Sequence, residues 1–399
     1  MAAVVAFGST RPLASPPAYV IGGHPAGLAV VRALGQAGIP VAAVSSSPEE
    51  HAWRSRYSRW RVRAPDPDTD EQGFIAALLN LADELGEGVI IPTTDESLEA
   101  VARHRAELAR RHTVASPSSS VARRFLDKSQ TYAIATEVGV AAPETLSPTS
   151  ERDLEISGDG LSFPCLIKPR ESYRYSRAFG VKMKTVRSQV ELRTAWTEAT
   201  NAGIETMIQE LIPGAESAGV NYNAYIVDGR PVAEVTARKL RQSPRDYGFP
   251  SAVVSSPVRE VIEPGRSILR GLGVSGFANV EFKQDSRDGT YKLMEVNGRP
   301  NMSGWLSIRC GVNFPLLTYR HLLGQELPAG RRPESGVYWV HEVSYPKTIA
   351  AGLRSGEPSL AENLKPYLYP HVFATLSARD PAVFFGRAGA RLWSKVRSP

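Results

Sequence analysis

Hydrophobic positions are spaced in two different ways along this chain, and the change falls near residue 125. From Tyr19 a short apolar run, Tyr-Val-Ile, leads into Gly-Gly-His-Pro-Ala-Gly at residues 22–27. Leu28, Val31 and Leu34 then recur at three-residue spacing up to Gly35 and Gly38, and a second apolar run, Val-Ala-Ala-Val, follows Pro40. Strand, glycine turn, helix, strand is the opening of a doubly wound α/β domain. A further strand, from Gly88 to Pro92, ends in Thr93, Thr94 and Asp95 at its carboxyl edge, where open sheets bind ligands. Asp95 is placed there either to touch a substrate or to cap a helix beginning at Ser97.

Beyond the serine cluster at 116–120, residues 121–140 carry a helical apolar period, and from about residue 160 strands dominate. Hairpin signals stand at Val227–Pro231 and Arg287–Tyr291. This half predicts an α+β module joined to the first domain near residue 125. No repeat of 20 to 50 residues is visible, which removes solenoids and propellers.

The glycine turn does not complete a dinucleotide fingerprint. His24 stands where a second glycine would let the backbone approach a pyrophosphate, and the second strand ends in Ser45, Ser46 and Ser47 rather than an acid for the ribose.

Length and composition add boundaries. The 399 residues are 42% apolar and 22% charged, enough for two to three domains with real cores. No window reaches the roughly 18 apolar residues of a membrane span. The N-terminal residues lack a basic leader, so no secretory signal is expected. Cys165 and Cys310 are too far apart for a metal motif and too few for a disulfide scaffold, and a reducing cytoplasm fits them. From residue 331 on, ten Lys and Arg face five Asp and Glu, which places five of the six net positive charges in that segment. The remainder is nearly neutral, which argues against nucleic acid as a partner.

Candidate chemistry gathers on two late strands. In Phe277–Lys283, alternation puts Phe277, Asn279, Glu281 and Lys283 on one face; in Leu293–Asn297 it groups Leu293, Glu295 and Asn297. A two-residue turn at Asp288–Gly289 would pair 281 with 296 and separate the two acids. A three-residue loop, Arg287–Gly289 with Gly289 left-handed, pairs 281 with 295 and 279 with 297. In that register Glu281, Glu295 and Asn297 form an oxygen-rich cluster, which suits Mg²⁺ unless it is simply a solvated acidic face. Lys168 closes the apolar run Phe163–Ile167, a costly place for a lysine unless an anion meets it. Lys128 opens a helix. Met207–Gly214 reads as a strand entering a turn whose edge backbone suits a purine, and Glu216 follows, placed for ribose hydroxyls.

Asp127–Lys128, Pro164–Pro169, Gln209–Gly214 with Glu216, and Asn279–Phe282 paired with Met294–Asn301 together resemble the ATP-grasp superfamily, over about residues 18 to 328. The resemblance implies a two-lobed ATP-grasp domain at 126–328, with a small lobe at 126–212 and a large lobe at 213–328. It would follow a flexible N-terminus at 1–17 and a pre-ATP-grasp α/β domain at 18–125. A basic C-terminal extension at 329–399 would lie beyond the catalytic core. It implies that Lys128 and Lys168 contact ATP phosphates, that Gln209, Glu210, Leu211 and Ile212 line the adenine pocket, and that Glu216 holds the ribose. Glu281, Glu295 and Asn297 would bind Mg²⁺ or Mn²⁺, and Arg299 would neutralise the transferring γ-phosphate. Where the family carries a Gly- and Ser-rich flap, this chain has residues 170–180 with Arg170, Arg174 and Arg177. Those arginines either replace backbone donors to phosphate or read a substrate carboxylate.

The basic stretch 236–248 reads as a loop in which Arg238, Lys239 and Arg241, with Arg245, clamp a carboxylate. It is similar to stretches in amino-acid ligases of the D-aspartate ligase-like group. The implied reaction joins a small carboxylate to an amine through an acyl phosphate, with ADP and phosphate released. Alternatives are an ATP-dependent carboxylase using bicarbonate and a non-catalytic ATP-binding regulator. His24 and His341 are either bases or structural. At the C-terminus, Arg387, Arg391 and Lys395 alternate with Phe384, Leu392, Trp393 and Val396, which suits an anionic membrane surface, a partner or a terminal helix packed on the core. A homo-oligomer is compatible with all of this.

Overall fold

A computed structural model describes residues 3–6 and 13–386, apart from 159–161, 246, 329 and 355–358. Three sheets organise them.

The first sheet runs in the order Ala3–Ala6, Ser58–Arg63, Val41–Ser45, Ala18–Ile21, Val89–Pro92, Thr113–Val114. Its last five strands are parallel, and Ala18–Ile21 and Val41–Ser45 are buried at every position, as a parallel sheet covered on both faces requires. The edge strand corrects the expectation of a flexible 1–17, since residues 3–6 pair antiparallel with Arg63 to Trp60. The glycine turn leads into the helix Pro25–Gln36, capped by His24. A Cβ at Gly27 would sit 1.8 Å from the Gly22 carbonyl oxygen, so only glycine lets helix and strand approach this closely. The Gly23 amide, which a dinucleotide phosphate would need, donates instead to the chain's own Glu50 carboxylate.

The second sheet is antiparallel, in the order Thr145–Leu146, Thr206–Glu210, Cys165–Pro169, Lys184–Val186. The helix Gln189–Asn201 covers one face with Leu192, Ala195 and Trp196 against Cys165, Ile167 and Ile208.

The third sheet has seven strands, in the order Tyr291–Asn297, Gly276–Gln284, Gly219–Val227, Arg230–Ser243, Phe249–Ser255, Tyr338–Val340, His371–Phe373. All pairs are antiparallel except the last. Val220, Tyr222, Ala224, Ala278, Val280 and Phe282 point to one side and pack with Phe125, Ala135, Ile268 and Leu269. The opposite side presents Asn221, Asn223, Asn279 and Glu281.

Three expectations about the chain's divisions change. The helix Lys128–Glu137, assigned by sequence to the small lobe, packs on the large sheet through Ile134, Ala135 and Val138. The stretch 236–248 is strand as far as Ser243 rather than a loop. The C-terminal extension is part of the body. It supplies two strands of the large sheet, and Asp380 forms a buried ion pair with Arg32 at 2.9 Å. Among the described residues no helix is long and apolar enough to cross a membrane. Arg387, Arg391, Lys395, Leu392, Trp393 and Val396 lie outside the described residues. Both cysteines are free and buried.

Candidate active site

A cleft of about 1070 Å³ opens where the N-terminal domain meets the four-stranded and seven-stranded sheets. Its floor is set by strand register. Glu281 lies opposite Glu295, and Asn279 opposite Asn297, so the acids share a face as the sequence required. The route to that register differs from expectation. The hairpin closes on Asp285 and Thr290 with a four-residue loop, Gly289 adopting φ +78°, which alone would misalign the acids by one residue. A bulge at Met294, between the pairs Glu281–Glu295 and Phe282–Leu293, restores it.

Each acid meets a lysine. Lys128, the first residue of its helix, places Nζ 2.9 Å from Glu295 Oε1, and Lys239 pairs with Glu281. Burial alone would raise the Glu295 carboxyl, but Lys128, Lys168 and Lys182 draw it far below the usual range. Glu295 in turn holds the Lys128 ammonium above its ordinary value despite burial.

Lys168 is different, because no carboxylate among the described residues pairs with it. Along Cys165–Pro169, alternation sends Cys165 and Ile167 into the small-lobe core, and Leu166 and Lys168 into the cleft. Its Nζ donates to the Tyr132 hydroxyl at 2.7 Å, the Met294 carbonyl at 3.0 Å and Gln209 Oε1 at 3.3 Å. Burial, reinforced by Lys128, pulls its pKa down to about 7.

Arg299 follows the strand Tyr291–Asn297 by two residues. Asp95 grips it with two contacts of 2.6 Å, to Nε and Nη2, which leaves Nη1 free of that carboxylate. Asp95 is therefore a holder of Arg299. It is not the helix cap, because Thr94 takes that place and forms a capping box with Ser97. His24 caps its helix through Nδ1, 3.4 Å from the Gly27 amide, and burial beside Arg299 lowers its pKa to about 4. His341 accepts from the Val343 and Ser344 amides and is not among the residues lining the cleft.

Leu166, Leu211, Ile212 and Met294 give the cleft an apolar slot, and Gln209, Pro213 and Glu216 continue it. Gln209 faces inward, bridging Lys168 and Thr145. Glu210 does not line the cleft. Strand alternation turns it away, and its carboxylate pairs with Arg287 and, at 3.1 Å, with Lys292.

The basic stretch is corrected in the same way. Lys239 faces the cleft, whereas Arg238 points to the other side and donates to the Ser217 carbonyl and the Tyr291 hydroxyl. Arg241 follows a register shift at Leu240, donates to that residue's carbonyl and does not line the cleft. The arginine segment after Lys168 is the helix Ser172–Phe179, closed by left-handed Gly180. Arg170 grips Asp127 and Glu205, Arg174 pairs with Glu171, and Arg177 pairs with Asp68 at 2.7 Å. Of the three, Arg177 alone lines the cleft, and Lys182 beyond it lies 3.7 Å over the Phe249 ring.

Sequence reasoning missed Tyr132, Lys182 and Asn221. Asn221 is the most telling. It lies opposite Glu281, is 2% exposed and lines the cleft, and its Oδ1 has no hydrogen-bond partner among the described residues. A buried oxygen left without a donor is costly unless a cation or water meets it. The signal was present in Asn221 and Asn223, amides on the buried strand Gly219–Val227. Among the described residues no three His, Cys, Asp or Glu side chains are arranged to hold a metal ion, so the oxygen set in the cleft is two carboxylates with the amides of Asn221 and Asn297. Such hard donors fit Mg²⁺ or Mn²⁺.

Two sheets gripping a charged cleft behind a doubly wound domain define the class: the chain has the ATP-grasp fold. A family model described as ATP-grasp in the biosynthetic pathway with Ter operon matches residues 204–344. Within that class the chain is similar to D-aspartate ligase of Enterococcus faecium, 26% identical over 60% of this chain and 61% of that protein. It thus spans about three fifths of the length of that relative. In structure it is similar to L-amino acid ligase from Bacillus licheniformis, with a TM-score of 0.60 and 16% identity over 76% of this chain and 73% of that one. It is also similar to N5-carboxyaminoimidazole synthetase from Staphylococcus aureus complexed with ADP, with a TM-score of 0.62 and 16% identity over 80% of each chain.

Proposed function

We propose that the chain is an ADP-forming ligase that activates a carboxylate as an acyl phosphate and joins it to an amine. One observation carries the reading. The oxygen set of Glu281, Glu295, Asn297 and Asn221 shares a cleft with Lys128, Lys168 and Arg299, the charge pattern that a metal-bound triphosphate requires.

ATP would lie with its purine in the slot of Leu166, Leu211, Ile212 and Met294, and its ribose toward Glu216. Lys168, already short of a negative partner, would take a phosphate oxygen and recover its full charge. Lys128 would do the same from the helix start. Glu281, Glu295, Asn297 and Asn221 would hold the divalent ion, which would supply positive charge to offset that of the triphosphate.

The substrate carboxylate oxygen would attack the γ-phosphorus, and the bond to the β-phosphate oxygen would break, releasing ADP. Arg299, held planar by Asp95, would offer its remaining N–H groups to the transferring phosphoryl oxygens. The amine, after losing a proton, would attack the acyl carbon, and the carbon–oxygen bond to phosphate would break. An amide and inorganic phosphate result. Positioning and charge supply the catalysis, with no Ser or Cys nucleophile.

An ADP-release screen over amino acids and small acids, with and without Mg²⁺, tests this. Release should require Mg²⁺, a carboxylate and an amine together. Nucleotide binding with no release across the whole panel would contradict it, and release driven by bicarbonate without an amine would point to a carboxylase.

A further inference from the structure

A second cavity, of about 350 Å³, lies between the N-terminal domain and the large sheet. One wall carries Ala29, Val30 and Ile91; the other carries Phe277, Phe314 and Leu322. Protein interiors pack to the density of organic crystals, and an apolar hollow of this size forfeits contact energy along its walls. Four of the polar residues that line it are already engaged. The Tyr225 hydroxyl meets His321 Nδ1 at 3.0 Å, and Arg105 Nε donates to the Ser116 carbonyl at 3.0 Å. What remains suits an apolar occupant.

The hollow also has an address. Ala26 and Asn301 line both it and the cleft, so the two adjoin. Gly298 and Pro300, the sequence neighbours of Arg299, line the hollow while the Arg299 side chain lines the cleft. An apolar group entering there belongs to a molecule whose polar end lies near Arg299.

We propose that this hollow is the side-chain pocket for one of the two substrates, and that this substrate carries an apolar group larger than a methyl. The inference rests on the ligase reading above and adds the substrate class. The acid and the amine are both possible sources of the group, and two series separate them. N-acetylated glycine, alanine, leucine and phenylalanine offer only a carboxylate, and the corresponding amino-acid amides offer only an amine. Each is assayed for ADP release against the partner found in the screen.

In one series kcat/KM should rise by about tenfold or more from alanine to the larger members. Ala29→Phe, or Ile308→Phe in the same lining, should abolish that rise, bringing the larger members down to the level of the alanine member. No dependence on side-chain size in either series, or equal losses for small and large members, would overturn the pocket. If no pair releases ADP, the ligase reading fails on its own and binding decides the pocket. A phenylalanine derivative that raises the Tm of the wild type but not of Ala29→Phe upholds it, and equal or absent shifts overturn it.

Discussion

At the residue scale, Lys168 is a group whose value to the empty protein and to the proposed reaction are opposed. Its ammonium is buried among neutral acceptors, a setting that disfavours charge and lowers its pKa to about 7. Lys168→Met should therefore leave the Tm of the nucleotide-free protein unchanged or raised, while weakening binding of an ATP analogue at least tenfold, about 1.4 kcal/mol. A large drop in Tm would show that the lysine is structural. Asp127 behaves in the opposite sense. Burial would raise its carboxyl, but the two-pronged contact from Arg170 outweighs this and the pKa falls to about 2. A carboxylate depressed on folding contributes stability that is present above its unfolded pKa and is lost as pH falls through the folded value. Asp127→Asn should lower the urea midpoint clearly near neutral pH, with the gap from wild type closing as pH approaches about 2; a gap that does not change with pH would contradict this. Residue placement was legible where strand alternation was applied, as at Glu281 and Glu295. It failed where a motif was carried over without it, because Glu210 and Arg238 each sit one position from an inward-facing neighbour.

At the scale of elements, the hairpin that aligns the acids was legible in outcome but not in construction. The sequence shows Asp288–Gly289 as a turn signal, yet nothing local reveals that a four-residue loop is compensated by a bulge at Met294. Gly289 holds φ +78°, where a β-branched side chain meets the backbone. Gly289→Val should cost about 1–2 kcal/mol by chemical denaturation. An unchanged stability would mean that the loop reaches the same register by another path. The helix Ser172–Phe179 stands where the resemblance implies a Gly- and Ser-rich flap. Its own signals pointed elsewhere: Tyr175 and Phe179, four apart, pack at 4.6 Å between ring centroids, and Gly180 closes the helix.

At the scale of the whole molecule, the C-terminal segment changes the picture most. Net charge marked it as an addition, but charge carries no information about sheet pairing. The partners of Tyr338–Val340 lie at Ala252–Val254, some 85 residues earlier. Asp380 completes the tie by receiving Arg32 Nε, the Ser55 hydroxyl and the Arg56 amide, with Arg32 1% exposed. Asp380→Ala strands that guanidinium and should cost about 3–5 kcal/mol in urea unfolding; a loss below 1 kcal/mol would show the contact to be incidental. The cleft itself depends on all three sheets, and in the proposed reaction Glu281 and Glu295, with two amides, would receive the cation that accompanies ATP. The most direct test is equilibrium binding of a non-hydrolysable ATP analogue, titrated with and without Mg²⁺, to the wild type and to the Glu281→Gln, Glu295→Gln double variant. Mg²⁺ should strengthen binding to the wild type and have no effect on the double variant; a double variant that keeps the full Mg²⁺ dependence would contradict the proposed metal site.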